Sequence, residues 1–115
     1  MTNATRPRGS LSGPVLRLFH VRAKPGSAAM LAAQFETTSA DVVRNEPGNQ
    51  GYFFGQGIQQ DADVVIFASL WADLDAVKTR FGEDWQQSYL PPGYEALIET
   101  CWVQHIDLSG GWHPS

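Results

Sequence analysis

Polar and apolar residues alternate from Val15 to Lys24 (VLRLFHVRAK), which predicts a strand. Val15, Phe19, Val21 and Ala23 fall on one face together with Arg17; Leu16, Leu18, His20 and Arg22 fall on the other. Pro25 and Gly26 stop the strand, and Ser27 is a suitable N-cap for the next element. From Ala28 to about Asn45 the period lengthens. Leu31, Phe35, Thr38 and Val42 recur at steps of four, three and four, the apolar stripe of an amphipathic helix. Pro47 ends it, because the residue before a proline avoids helical backbone angles, and Gly48 can take a left-handed turn.

The stretch NEPGNQGYFFGQG (Asn45–Gly57) has the glycine density of a phosphate-binding loop but the wrong order. A phosphate loop runs from strand through glycines to helix, so that N–H groups at the helix start face the anion. Here a helix precedes the glycines and a strand follows, so the stretch reads as a helix stop, a turn and a strand. That second strand, GYFFGQGIQQ, puts Tyr52, Phe54 and Ile58 on one face and Gly51, Phe53, Gly55 and Gly57 on the other. Several glycines on one strand face predict a close approach, a bulge or a bend. QDAD is a turn. VVIFASLW (Val64–Trp71) is the third strand, with Val64, Ile66, Ala68 and Leu70 on one face and Val65, Phe67 and Trp71 on the other. A strand apolar on both faces is expected to be covered on both.

Asp73 caps a second helix, whose stripe of Leu74 and Val77 continues through Phe81, Trp85 and Tyr89, with Gly82 as a break or kink. Pro91, Pro92 and Gly93 close that region, YEALIE gives a short turn, and the last strand runs from Thr100 to Leu108. The order β-α-β-β-α-β predicts an α+β domain of ferredoxin-like type with a four-stranded antiparallel sheet. Its expected bounds are 14–108, between a Pro-, Gly- and Ser-rich arm (1–13) and a tail (109–115).

At 115 residues the chain has room for one core. Only 17% of residues are charged, which leaves less polar surface than usual and hints at a partner. A net charge of −4 with scattered basic residues argues against nucleic acid and anionic membrane as partners. Cys101 is alone, so a disulfide framework or thiolate metal cluster is not expected; it reads as a buried structural thiol. With neither an apolar signal segment nor an apolar run long enough to span a bilayer, a cytoplasmic location is expected.

VRAKPG (Val21–Gly26), NEPGNQGY (Asn45–Tyr52) and FASLWADLDAV (Phe67–Val77) together resemble the antibiotic-biosynthesis monooxygenase family of dimeric α+β barrels. The resemblance implies a homodimer joined through the open sheet face, with the Trp71 side turned to the helices and the Ile66 side to the partner. It also implies a ligand held between sheet and helices inside each protomer. Haem-degrading members carry an Asn, a Trp and a His at places that here hold Phe19, Arg80 and Leu90, so haem degradation is not expected. Quinone-forming members use an Asn four residues before the strand-three Trp. Phe67 stands there, and Trp71 alone carries over.

Two functions follow from the resemblance: cofactor-independent monooxygenation of a small aromatic or polyketide-like substrate, or a non-catalytic, ligand-binding or stress-related barrel. Phe67 favours the second, while Trp71 and the aromatic stripe favour a pocket of some kind; no cofactor is implied by either. Candidate substrate-binding residues are Phe19, Phe67, Trp71, Phe81, Trp85 and Tyr89, with the N–H of Trp71 and Trp85, the Tyr89 hydroxyl and Arg80 as polar handles. The same aromatic set would equally serve as packed core. Trp71 and His20 are the candidate catalytic residues. His20 and His105 lie on strands that neighbour each other in this fold and would form a paired imidazole site for proton transfer. Without a third ligand, no metal site is expected.

Overall fold

The computed structural model describes residues 13–111 and residue 113, so the expected N-terminal arm falls, but for Gly13, outside the described residues. Strand β1 (Val15–Ala23) leads into helix α1 (Ala28–Gln34), a π-helical turn (Phe35–Ser39) and helix α2 (Ala40–Val43). Strands β2 (Asn49–Gln56) and β3 (Val64–Trp71), helix α3 (Leu74–Phe81) and strand β4 (Ile98–Asp107) follow. The sheet order is β2-β3-β1-β4 and every pairing is antiparallel, the expected ferredoxin-like α+β arrangement. No described helix is long and apolar enough to cross a membrane.

The first helix departs from its expected phase. The N–H of Ala40 reaches back five residues to the carbonyl of Phe35, so one extra residue is accommodated in that turn. The buried stripe is therefore Leu31, Phe35, Ser39 and Val43 rather than one ending on Thr38 and Val42. Phe35 becomes the hub of the core, with ring centroids 5.5 Å from Phe67 and 5.9 Å from Phe19. Such tilted and edge-on contacts suit aromatic quadrupoles.

Strand β2 is shorter than the sequence pattern suggests. Tyr52 and Phe54 face the helices, but Ile58 lies past the strand end and is 77% exposed. The glycines have separate reasons. Gly48 takes φ +85°, and a Cβ there would sit 2.5 Å from the Ala76 Cβ, so the turn after α2 docks tightly on α3. Gly57 closes a turn in which a Cβ would strike the Asp61 carbonyl. Helix α3 starts as expected, the Asp73 carboxylate accepting from the Ala76 N–H at 2.8 Å. It stops at Phe81, where Gly82 adopts φ +74°. Trp85 and Tyr89 thus sit on an irregular return segment rather than on a continued helix face.

The helices cover only one side of the sheet. Its other side carries Leu16, Leu18 and His20 from β1, Ile66 and Leu70 from β3, and two large exposed rings, Phe53 (59%) on β2 and Trp102 (55%) on β4. Cys101, expected to be buried, is half-buried and packs against the core on the helix side.

Candidate functional site

Arg17 is the charged residue of β1 whose register points it at the helices, and only 4% of it is exposed. Its Nη1 donates to the Trp85 carbonyl at 2.5 Å and faces His105 Nε2 at 3.0 Å; its Nη2 donates to the Gln87 carbonyl at 3.1 Å. The guanidinium lies over the Phe81 ring, 3.8 Å from its centroid. Among the described residues no carboxylate stands within ion-pair distance of Arg17. Burial, with a smaller push from Arg80, lowers its pKa to about 10. Burial and then the Arg17 charge lower His105 to about 4.

Beside Arg17 lies a cavity between sheet and helices. Phe19 and Phe67 form its sheet wall with Ser69, Ser39 and Val42 its helix wall, and Phe81 and Tyr89 the side toward solvent. Its inner free volume is about 30 Å³, room for a water or two; with its open mouth the space is about 370 Å³. Tyr89, at the mouth, is 48% exposed and meets Phe81 edge-on at 6.3 Å.

Ser39 reaches the cavity because of the π turn, and a buried tyrosine holds it there. The Tyr94 hydroxyl donates to the Gln34 carbonyl at 3.1 Å, leaving its oxygen to accept from Ser39 Oγ at 2.6 Å. Burial raises the Tyr94 pKa despite that hydrogen bond. Neither residue was legible in the sequence: Ser39 is off the ideal helical stripe, and Tyr94 sits in a short turn without periodicity.

Of the aromatic candidates, Phe19, Phe67, Phe81 and Tyr89 come together around the cavity, whereas Trp71 and Trp85 do not line it. Trp71 is fully buried behind Ser69, to whose Oγ its Nε1 donates at 2.9 Å, so its N–H is not a handle for a ligand. The Trp85 ring lies edge-on to His105, and Trp85 contributes to the site its carbonyl on Arg17. Arg80 turns to the end of α2, donating to the Val42 carbonyl at 2.6 Å. The paired imidazole site does not form. His105 shares the helix face with its β1 partner Arg17, whereas His20 pairs with Trp102 on the opposite face. There His20 stacks on Trp102 at 4.6 Å and shares a hydrogen bond with Gln104. Among the described residues no cluster of three metal-ligating side chains occurs.

The antibiotic biosynthesis monooxygenase family model matches residues 14–90, from the start of β1 to the cavity mouth. The chain belongs to this family. Solved structures sharing the fold of this monooxygenase-family domain include PA3566 from Pseudomonas aeruginosa, at TM-score 0.63 and 22% identity over 84% of this chain and 94% of that one. SnoaB, a cofactor-independent oxygenase from Streptomyces nogalater, aligns at TM-score 0.60 and 16% identity over 81% and 90% of the two chains. The heme-degrading protein Rv3592 from Mycobacterium tuberculosis aligns at TM-score 0.58 and 14% identity over 84% and 94%. At these identities the likeness establishes the fold of the family and nothing finer. No curated protein sequence matches the chain.

Proposed function

We propose that the protein is a homodimeric, cofactor-independent monooxygenase that takes a small, flat aromatic or polyketide-like phenol into the cavity beside Arg17. The observation that carries this reading is the division of the cavity into an aromatic wall (Phe19, Phe67, Phe81, Tyr89) and a polar end (Arg17, Ser39, Ser69). An apolar slot with a few convergent polar groups orients a planar ligand. The inner volume is too small for such a ligand as it stands, so entry requires Tyr89 to swing outward, which its exposure makes inexpensive.

The chemistry needs no bound redox group. An electron-rich ring anion passes one electron to dioxygen, and recombination of the two radicals forms a C–O bond. The resulting peroxide loses water as its O–O and C–H bonds break, so a ring CH₂ plus O₂ becomes a C=O plus H₂O. The cavity residues bind the ring, fix its plane and exclude bulk water from the peroxide. Trp71 then acts by supporting Ser69, and His20 belongs to the dimer face.

Dimerisation rests on the open sheet face, where, among the described residues, Phe53 and Trp102 are exposed and Ile66 and Leu70 are half-buried. Contiguous apolar surface of this kind marks an interaction site. A ligand-binding barrel without catalysis is the second reading, favoured by the small inner volume and by Phe67, which offers no hydrogen bond to a reacting oxygen. An oxygen electrode separates the two. A flat phenol bearing a ring CH₂ should consume oxygen faster with the parent protein than without it, and not with a cavity-filling Val42→Trp variant. Ligand binding without any uptake above the uncatalysed rate favours the second reading.

A further inference from the structure

We infer that the cavity selects its aromatic ligand as an anion, a phenolate or enolate, with Arg17 as the group that receives the charged oxygen. This rests on the reading of the cavity as an aromatic-ligand site and adds the charge state and the residue that enforces it. Arg17 is almost wholly buried, yet among the described residues its partners are two carbonyls, a neutral imidazole and a ring face. A buried cation with no counter-charge is expensive, and proteins ordinarily pair it. Here the missing partner fits the cavity that Arg17 lines.

Donor bookkeeping gives the same answer. A guanidinium has five N–H groups. Among the described residues three are engaged, two from Nη1 and one from Nη2. The Nε–H and one Nη2–H remain as donors for an anionic oxygen. The Trp85 and Gln87 carbonyls and His105 hold the rest of the fork, so they fix its orientation.

The surroundings favour negative charge. His105 on β4 is neutral, and its Nε2 lone pair is occupied by Arg17. Arg80 on α3 adds a second cation, 5.7 Å from the Tyr89 ring at the mouth, while Glu46 is spent on Arg80 at 3.7 Å. Ser69 accepts from Trp71 Nε1 and keeps its O–H to donate to an anion, whereas Ser39 spends its proton on Tyr94. An ionised phenol is also the form that gives up an electron to dioxygen, so the same residue would bind and activate. The ligand's proton leaves to bulk water.

The probe is a nitronaphthol, whose phenolate absorbs at longer wavelength than the phenol, with nitronaphthalene as its uncharged analogue. Titration is done one pH unit below the dye's solution pKa, where about a tenth is ionised in water. The expected result is a bound dye absorbing mainly as phenolate. Arg17→Gln should weaken nitronaphthol at least tenfold more than nitronaphthalene and lose the phenolate band; Arg17→Lys should retain part of it. A purely structural Arg17 would not separate the two dyes. Parent protein that binds the dye as neutral phenol overturns the anion assignment and leaves the aromatic cavity standing. Parent protein that binds neither dye overturns the cavity reading and the assignment with it. The parent spectrum decides even if Arg17→Gln does not fold.

Discussion

Arg17 Nη1 lies 3.0 Å from His105 Nε2, and only one of the two can donate. A guanidinium has no acceptor, so the imidazole accepts through Nε2 and carries its proton on Nδ1. The contact joins β1 to β4 across a register pair; burial first, and the Arg17 charge second, lower the His105 pKa to about 4.

That pKa makes stability depend on pH. The unfolded chain's His105 takes up a proton near its ordinary pKa of 6.5, while the folded one resists until about 4. The unfolded state therefore binds more protons in this window. Stability from His105 is complete above about pH 6.5 and is lost as pH falls toward 4. His105→Gln should flatten the urea-midpoint slope between pH 6.5 and 5, where carboxylates contribute little. Partial exposure of the ring limits the effect to about 1 kcal/mol.

Tyr94 and Ser39 should behave as one unit. Tyr94→Phe removes the bond to Gln34 and leaves Ser39 Oγ without its acceptor, at an expected cost of about 1–2 kcal/mol. Ser39→Ala on top of it should add little, because both lose the same buried network. Denaturant melts of the three variants give the coupling directly.

Trp71 is core. Its zero exposure and its contact with Phe81 at 5.9 Å predict that Trp71→Ala costs about 3–5 kcal/mol. The sequence left it open whether the ring faced a void, in which case the loss would be smaller. A loss below about 2 kcal/mol in urea melts would show that part of the ring meets empty space.

Ile66 tests the proposed dimer. Stable interfaces bury about 800 Å² on each partner. Ile66→Lys places a charge in the middle of the open face and should give monomer or insoluble protein by light scattering. The unmodified chain remaining monomeric at micromolar concentration would remove the open face as an interface.

The parts legible in sequence are those set by period and parity. Strand β3 has the expected bounds, and Arg17 shares the Val15, Phe19 and Val21 face of β1 as its parity requires, although nothing in the sequence marked it as a site residue. What was hidden arises where backbone hydrogen bonding leaves its regular period. The π turn moved the buried stripe from Thr38 to Ser39, and Gly82 took Trp85 and Tyr89 off the helix. Tyr94 gave no signal because a single buried residue in a short turn has no period. The His20–His105 pairing failed on parity, since neighbouring strands place side chains on a shared face only at matching register positions.

The most direct test of cofactor-free oxygenation at this cavity uses isotopically heavy dioxygen. Metal-stripped protein is incubated with a flat hydroquinone bearing a ring CH₂, and product and water are analysed by mass spectrometry. The expected result is one heavy oxygen in the new carbonyl and the other in water, at a rate lost in the Val42→Trp variant. Bound hydroquinone that gains no label faster than in buffer alone would contradict the monooxygenase reading.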